Sequence, residues 1–400
     1  MTQQVAEART AATVRPAART SWPWLPVATL FVAITLALTA LVADVHVHTG
    51  TMGHTGLPWL DGWYRWDSAW YWRIAAGGYS YHPGQQSSIA FFPVFPLLAR
   101  ALAPLVGGWQ IGGQLVALAS GLAASVLFTR WVWLRLPRRA AVLAIAALLL
   151  YPYSLFLHGP MYADATFLAL ALGAFLLLER RHHLAAGLLG ALAVAARPFG
   201  VAVAIGLAVR ALELVAEDHG ERSWRGLVTA VRHVRVRHTT VLLAFGGLAA
   251  WMGYLWVRFG NPLAFVETES APGWDQGVGP ATWFKVAFVE ALVNGHWGLR
   301  LNLALQALVC LVVVLLVPRV ARRFGWGYAV YTAVVIAIPI IGTKDFMGAG
   351  RYALAAFPAL AAAGDWLSER PRWFARSALV AMGVVMVVLT WYYTHMVEIA

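Results

Sequence analysis

Residues 23–44 read PWLPVATLFVAITLALTALVAD, and the first charged side chain in this stretch is Asp44 at its end. About 20 consecutive apolar residues are what an α-helix needs to cross the hydrocarbon core of a bilayer. The stretch is longer than the core of a signal peptide, and no clear small-residue cleavage site follows it. We therefore predict a retained membrane-spanning helix, preceded by a disordered cytoplasmic tail over residues 1–22.

Apolar stretches of this kind recur along the whole chain. The 400 residues are 60% hydrophobic and 12% charged, whereas soluble domains carry about 25% charged residues. The pattern predicts an all-α polytopic membrane protein in which residues 23–400 form a single domain of about eleven transmembrane helices. The predicted spans are 23–44, 112–134, 140–158, 163–179, 184–196, 199–215, 239–258, 299–317, 326–342, 352–368 and 374–396.

Arginine residues gather in alternate connections between these spans. By the positive-inside rule, such connections share the cytoplasmic side. This placement accounts for the net charge of +12 without nucleic-acid binding, which we do not expect. The arginines in question are Arg9, Arg15, Arg19, Arg135, Arg138, Arg139, Arg180, Arg181, those from Arg222 to Arg237, Arg319, Arg322, Arg323, Arg370, Arg372 and Arg376.

Three segments need separate treatment in this topology. Residues 45–111 form a long first external loop that is expected to carry interfacial helices. Residues 217–238 form a basic cytoplasmic segment, either a surface helix with Trp224 and Val231 toward lipid or a solvated connector. Residues 184–215, interrupted at Arg197, make either two short crossings or one bent helix with a re-entrant piece.

The external loop contains the block DGWYRWDSAWYWRIAAGGY, residues 61–79. A helix beginning near Asp67 would place Trp63, Trp66, Trp70 and Ile74 on one stripe, an aromatic face suited to the membrane interface. Asp67 and Tyr71 would then lie one turn apart. A carboxylate at such a surface can act as a general base, although Asp67 can equally be the N-cap of the helix.

Four segments of the chain carry a resemblance to a known family. RWDSAWYWRIAAGGY followed by AFFPVFPLL, then YPYSLFLHGPMYADATF, GLLGALAVAARPFGV and RYALAAFPALAAAG, resemble the GPI mannosyltransferase II type (PIG-V-like) proteins and their bacterial relatives. These proteins belong to the GT-C superfamily of glycosyltransferases. The segments occur in the family's order, and the first is the most specific. Asp164 occupies a position where the family more often has Glu. The sequence ARPFG, residues 196–200, also departs from the family's pattern.

The resemblance implies an inverting transfer of mannose from polyprenyl-phosphate mannose on the external face. The acceptor would be a glycolipid, a cell-wall glycan or a protein. Asp67 would be the catalytic base, and Arg351 and Arg197 would hold the lipid phosphate. Each arginine also has a simpler interpretation, as an interfacial anchor for Arg351 and as the neutralising charge of a helix end for Arg197. The further implied substrate-binding residues are Asp164, Tyr162, Tyr71, Trp66 and Tyr352.

Other residues give weaker indications. His82 and His158 are expected to be polar interface residues, because neither has a second metal ligand at helical spacing. No Asp-X-Asp pair is present, so we predict no required metal ion and no cofactor. Glu267, Glu269 and Asp275, in the loop 259–298, either line an acceptor groove or belong to a solvated loop. The alternative to a transferase is a transporter or lipid flippase, which would share the many helices.

Overall fold

The computed structural model describes residues 21–49, 52–221, 223–277 and 279–399. Over these ranges the chain is helical and contains no β-strand, as the composition predicts. Nearly all of the predicted tail, residues 1–22, lies outside the described residues.

Twenty α-helices follow one another along the described residues, joined by short turns and 3₁₀ segments. Their bounds are α1 Trp24–Thr49, α2 Pro58–Asp61, α3 Ser68–Gly77, α4 Val94–Val106, α5 Trp109–Trp133, α6 Arg138–Leu150, α7 Asp164–Glu179, α8 His183–Val194, α9 Val201–Asp218, α10 Trp224–Ala230, α11 Val236–Thr239, α12 Gly246–Phe259, α13 Ala264–Glu269, α14 Pro280–Trp283, α15 Val286–Asn294, α16 Trp297–Phe324, α17 Trp326–Gly342, α18 Ala349–Ala355, α19 Phe357–Ser368 and α20 Arg372–Thr394.

Six helical stretches of the described chain are long and apolar enough to cross a membrane. The other predicted spans are shorter helices. With a rise of about 1.5 Å per residue, the 12 residues of α8 reach only part of the way through about 30 Å of hydrocarbon. The count of about eleven crossings therefore stays a prediction. The six stretches are Trp24–Thr49, Trp109–Trp133, Pro198–Asp218, Val236–Phe259, Trp297–Phe324 and Arg372–Thr394.

Two breaks between helices lie at prolines, Pro198 and Pro358. Arg197 is extended, with φ −150° and ψ 149°, and separates α8 from α9. A residue before proline avoids the helical region because the proline ring crowds its backbone, which accounts for this conformation. The second break lies between α18 and α19, where Phe357 and Pro358 begin the new helix. Both breaks leave an arginine, Arg197 or Arg351, close to an irregular piece of backbone.

The predicted cytoplasmic arginines lie together in the fold. Arg139 donates to the carbonyl of Arg370 at 2.7 Å, and Arg135 lies 3.0 Å from the carboxylate of Glu179. Arg181 makes a two-point contact with Asp218, at 2.7 and 3.0 Å. Contacts between connections that are distant in sequence are consistent with one shared end of the bundle, and which compartment it faces remains a prediction.

The prediction of an aromatic stripe around Asp67 is wrong. Trp63 precedes α3 and is buried, with its indole N–H donating to Thr39 at 3.1 Å. Ile74 is buried as well, whereas Trp66 lies before the helix and is exposed. The helix begins only at Ser68, so the four side chains do not share a helical face.

The expectation for His158 also changes in the structure. His158 is not an interface residue. It is fully buried, hydrogen-bonded to Thr35 at 2.7 Å and stacked on Phe31. In the basic segment, Trp224 and Val231 are exposed, which fits both a surface helix and a solvated connector.

Candidate active site

The backbone that carries Asp67 is held by buried hydroxyl groups. The Tyr393 hydroxyl donates to the carbonyl of Trp63 at 3.0 Å, and the Tyr162 hydroxyl accepts a hydrogen bond from the Asp67 N–H at 3.1 Å. Arg65, also buried, donates to the carbonyl of Thr394 at 3.1 Å. The segment from Trp63 to Asp67 is thereby fastened to α20 and to the segment before α7.

Asp67 occupies the N-cap position of α3, but its side chain makes no capping hydrogen bond. The preceding residue, Trp66, has φ +50°, a left-handed conformation that costs a bulky residue about 1–3 kcal/mol. The Tyr71 N–H donates to the carbonyl of Asp67 at 3.1 Å, so these two residues do lie one turn apart. The carboxylate is thus available for a contact away from its own helix.

That contact is an ion pair with Arg351, which lies 284 residues further along the chain. Arg351 Nη1 donates to Asp67 Oδ2 at 2.8 Å. The Arg351 side chain is 12% exposed and that of Asp67 is 31% exposed. The guanidinium lies over the rings of Phe156 and Tyr162, 5.3 and 5.2 Å from their centroids. Its Nε is buried without a hydrogen-bond partner among the described residues, so one charged donor is left unused.

The short helix α18 positions Arg351. The carbonyl of Gly350 accepts from the Tyr151 hydroxyl at 2.9 Å, and that of Ala355 accepts from the Tyr331 hydroxyl at 2.7 Å. A Cβ on Gly350 would lie 2.3 Å from the Tyr153 ring. Only glycine allows α18 to pack this closely.

A second ion pair joins Arg197 to Asp164, and Arg197 lines the same pocket as Asp67 and Arg351. Arg197 Nη1 donates to Asp164 Oδ2 at 2.5 Å, and both side chains are buried. The Arg197 guanidinium also lies 4.9 Å from the ring centroid of Phe199 and 6.0 Å from that of Tyr352. Asp164 is the first residue of α7, with Ala163 at the N-cap position.

One pocket brings together five of the eight residues expected from the sequence: Asp67, Tyr71, Arg197, Arg351 and Tyr352. The other three lie behind it or beside it. Asp164 reaches the pocket only through Arg197, and Tyr162 only through the backbone of Asp67 and the ring contact with Arg351. Trp66 is exposed and does not line the pocket.

Another wall of the pocket is closed by Glu269, the last residue of α13, and by Trp274 and Gln276 from the loop that follows. The two other acidic residues of this region point elsewhere. Glu267 accepts from the Tyr81 hydroxyl at 3.1 Å, and Asp275 pairs with Lys344 at 3.2 Å. Nothing in the sequence distinguishes Glu269 from these two residues.

Glu398 also lines the pocket, and sequence reasoning did not single it out. It follows the last helix with no motif around it. Its place at the pocket depends on long-range packing, since the carbonyl of Glu398 accepts from the side chain of Asn302 at 3.1 Å. No local pattern could have indicated this.

The pocket carries three carboxylates, two arginines and a buried phenol. Burial raises the pKa of Glu269 to about 7, and the negative charge of Asp67 adds to the increase, while Arg197 and Arg351 oppose it. Burial, followed by the charges of Asp345 and Asp67, also raises the pKa of Glu398. Burial raises the pKa of the Tyr71 phenol, which therefore stays neutral and able to donate a hydrogen bond.

This arrangement suits a substrate with one anionic part and one neutral part. The two arginines can hold a phosphate, and the carboxylates can accept protons or hydrogen bonds. Among the described residues, no group of three His, Cys, Asp or Glu side chains is placed to hold a metal ion.

Comparison with known proteins gives only distant similarity. No protein-family model matches the chain, and no curated protein does so. Among solved structures, the apo oligosaccharyltransferase of Archaeoglobus fulgidus is 12% identical, with a TM-score of 0.44 over 92% of this chain and 56% of that chain. The archaeal oligosaccharyltransferase from the same organism, in complex with an inhibitory peptide and a dolichol-phosphate, is 14% identical, with a TM-score of 0.43 over 90% of this chain and 55% of that one. This chain thus spans about half the length of the structures that it matches.

Proposed function

We propose that this protein is a membrane glycosyltransferase of the GT-C type that moves mannose from polyprenyl-phosphate mannose to an acceptor hydroxyl on the external face. One observation carries the proposal. Asp67, Arg197 and Arg351, from three segments far apart in sequence, line the same pocket. A carboxylate beside two arginines is what transfer from a lipid phosphate requires, namely a base for the acceptor and cations for the leaving group.

The arginines form the donor half of the pocket. Each one is paired with a carboxylate, Arg351 with Asp67 and Arg197 with Asp164. A phosphate diester offers oxygen acceptors that match a guanidinium, and Arg351 still has its unpartnered Nε to donate. Binding of the donor phosphate to Arg351 would draw the guanidinium away from Asp67 and release that carboxylate.

The released carboxylate then serves as the base. An acceptor hydroxyl oxygen attacks C1 of the sugar while Asp67 takes the hydroxyl proton. The bond between C1 and the phosphate oxygen breaks, and the polyprenyl phosphate leaves with the electron pair. Arg351 and Arg197 stabilise the charge that develops on the leaving group. Because the nucleophile enters opposite the leaving group, the configuration at C1 inverts.

The remaining residues have supporting roles in this proposal. Asp164 fixes the orientation of Arg197, and Tyr162 fixes the backbone of Asp67. Tyr71 and Tyr352 line the pocket, where they can contact the sugar. The exposed indole of Trp66 lies next to Asp67 in the chain and is proposed to contact the lipid part of the donor.

The test is a transfer reaction with purified protein in lipid nanodiscs. Polyprenyl-phosphate mannose labelled in the sugar is incubated with the protein and a membrane lipid extract, and labelled products are separated from unreacted donor. The proposal predicts a new labelled product together with free polyprenyl phosphate. If the donor remains intact under conditions in which it binds, the protein is not this transferase.

A further inference from the structure

One wall of the pocket is built by the end of α13 and the loop that follows it. Three of its side chains line the pocket, namely the carboxylate of Glu269, the indole of Trp274 and the amide of Gln276. None of them lies in the segments that resemble the mannosyltransferase family. Their residue types nevertheless form a recognisable set, with one charged acceptor, one aromatic ring and one amide.

This loop is fixed in place by contacts on both sides. The Gln86 side chain donates to the carbonyl of Pro272 at 3.3 Å. On the other side, the Lys344 N–H donates to Gln276 Oε1 at 3.1 Å, and the Gly277 N–H donates to the carbonyl of Gly342 at 3.2 Å. The loop is therefore a wall held in a defined position, as a binding site requires.

The polar groups of this wall have unused hydrogen-bonding capacity. The contact with Lys344 uses the oxygen of the Gln276 amide, which leaves its Nε2 as a donor without a partner among the described residues. In the same ranges, the Glu269 carboxylate has no hydrogen bond or ion pair, although it is half-buried. A half-buried carboxylate and an amide with free capacity match a ligand that offers several hydroxyl groups.

The apolar part of the wall is aromatic. Trp274 packs against Trp70 and Phe91, with ring centroids 5.8 and 6.0 Å away. Phe91 and Trp274 both line the pocket. The negative face of an aromatic ring attracts polarised C–H groups, such as those on one side of a pyranose or cyclitol ring. A flexible peptide or an acyclic polyol presents no such flat patch of C–H groups.

We infer that Glu269, Trp274 and Gln276 form an acceptor subsite for a cyclic polyol, that is, a sugar or cyclitol ring. The inference rests on the proposed function, since it names the acceptor class for the same pocket. In it, Glu269 accepts hydrogen bonds from ring hydroxyls, Gln276 donates one, and the ring stacks on Trp274. Asp67 remains the base for the hydroxyl that reacts.

The test measures ligand binding in the absence of chemistry. Saturation-transfer NMR is recorded on the full chain in lipid nanodiscs with methyl α-mannopyranoside, myo-inositol, the acyclic polyol mannitol and a serine tripeptide. The two cyclic polyols are expected to receive saturation from the parent protein, and mannitol and the tripeptide are not. Glu269→Ala and Trp274→Ala should each reduce the cyclic-polyol signal about tenfold, the loss typical of a charge-assisted hydrogen bond or an aromatic contact.

Matched controls come from the helices on either side of this loop, α13 and α14. Glu267→Ala removes a carboxylate that contacts Tyr81 instead of the pocket, and Trp283→Ala removes an exposed indole. Both should leave the signal unchanged, and unchanged melting of all four variants excludes unfolding. Equal signals in pocket and control variants, no signal for either ring in the parent, or saturation of the tripeptide alone would overturn the inference.

A second arm separates this inference from the proposed function. Binding of polyprenyl phosphate is measured in the same nanodiscs, with parent and Arg351→Ala proteins. Ring binding without binding of polyprenyl phosphate would remove the transferase proposal and leave the polyol subsite standing. Binding of polyprenyl phosphate without ring binding would remove the polyol subsite and leave the transferase proposal standing.

Discussion

An aspartate at the start of a helix can cap the helix or, beside a substrate, act as a catalytic base. In the structure Asp67 has the position of a cap without the capping hydrogen bond, and its carboxylate turns to Arg351. The motif around it was enough to single out the residue, but not its partner 284 residues away.

Arg351 is expected to act on the donor more than on folding. In Arg351→Ala the donor phosphate loses its principal cation, so KM for polyprenyl-phosphate mannose should rise about tenfold or more, the usual effect of losing a hydrogen bond between charged groups. Arg351→Lys should restore only part of the affinity, because a lysine lacks the planar fork that binds two oxygens.

The control for this prediction is Arg376→Ala, which removes an exposed arginine from α20. Donor KM and thermal melting are measured for all three variants. If Arg351→Ala uses the donor as the parent does, Arg351 is an anchor and has no part in donor binding.

Glu269 should give the pocket a pH dependence. Its pKa of about 7 means that the carboxylate is mostly protonated below pH 7 and mostly ionised above it. Because the ionised form is the stronger hydrogen-bond acceptor, binding of methyl α-mannopyranoside should tighten as the pH rises from about 6 to 8. Burial raises this pKa most, Asp67 raises it further, and Arg197 and Arg351, which face the same group, lower it.

The measurement is a saturation-transfer titration across this pH range. In Glu269→Gln the pH dependence should disappear. Glu398→Gln, which changes the other pocket carboxylate with a raised pKa, should retain it. A pH profile that survives in Glu269→Gln would assign the titration to another group.

At the scale of elements, local sequence indicated the helix break at Pro198 but not the one inside the predicted span 352–368, which the structure divides between α18 and α19. It did not indicate which side chains face the pocket. Pro198 predicts the interruption before α9, and the structure shows it. Glu267 and Glu269 lie two positions apart on α13, so they point in different directions from a helix. Which of them faces the pocket depends on how α13 packs against Ile89 and its neighbours, and this packing leaves no pattern in the sequence.

Close helix packing gives a prediction at this scale. Gly364 on α19 faces α6 so closely that a Cβ would lie 2.3 Å from the backbone nitrogen of Ala144. Gly364→Ala must separate the two helices, and overpacking of this kind costs about 1–3 kcal/mol. We expect a lower melting temperature in detergent.

Gly253→Ala is the matched control, because Gly253 lies inside α12 and a Cβ there meets no atom within 4 Å. Alanine is the better helix former by about 1 kcal/mol, so this variant should melt at the same temperature as the parent or slightly above it. Equal melting of Gly364→Ala and the parent would show that α6 and α19 are not packed as described.

For the whole molecule, composition was sufficient to predict an all-helical chain with several membrane-crossing helices. The number of crossings was harder to predict, because apolar stretches such as 184–196 are long enough to suggest a span and too short to complete one. Hydropathy indicates only that a stretch of residues is apolar and avoids water. It does not distinguish a helix that faces lipid from one buried inside the bundle.

The orientation of the molecule is open to a direct test. The only natural cysteine, Cys310, is buried, so single cysteines can be added at the exposed positions Ser80 and Ser223. By the positive-inside rule, Ser80→Cys should react with an impermeant maleimide from the external side and Ser223→Cys from the cytoplasmic side. Labelling of both from the same side would be incompatible with an external active site.

The central claim is that the Asp67 carboxylate is the base of a sugar transfer. Asp67→Asn keeps the size of the side chain and an oxygen that accepts from Arg351, and there is no capping bond to lose. Since a general base contributes about 10²–10⁴-fold, mannose transfer should fall by that factor. The matched control, Asp275→Asn, changes an aspartate paired with Lys344 outside the pocket and should transfer at the parent's rate.

The decisive measurement is therefore the initial rate of mannose transfer from labelled polyprenyl-phosphate mannose for the parent, Asp67→Asn and Asp275→Asn, with melting recorded for each. We expect Asp67→Asn to bind the donor, to melt like the parent and to transfer mannose at least 100-fold more slowly. Transfer by Asp67→Asn within a few-fold of the parent's rate would contradict it.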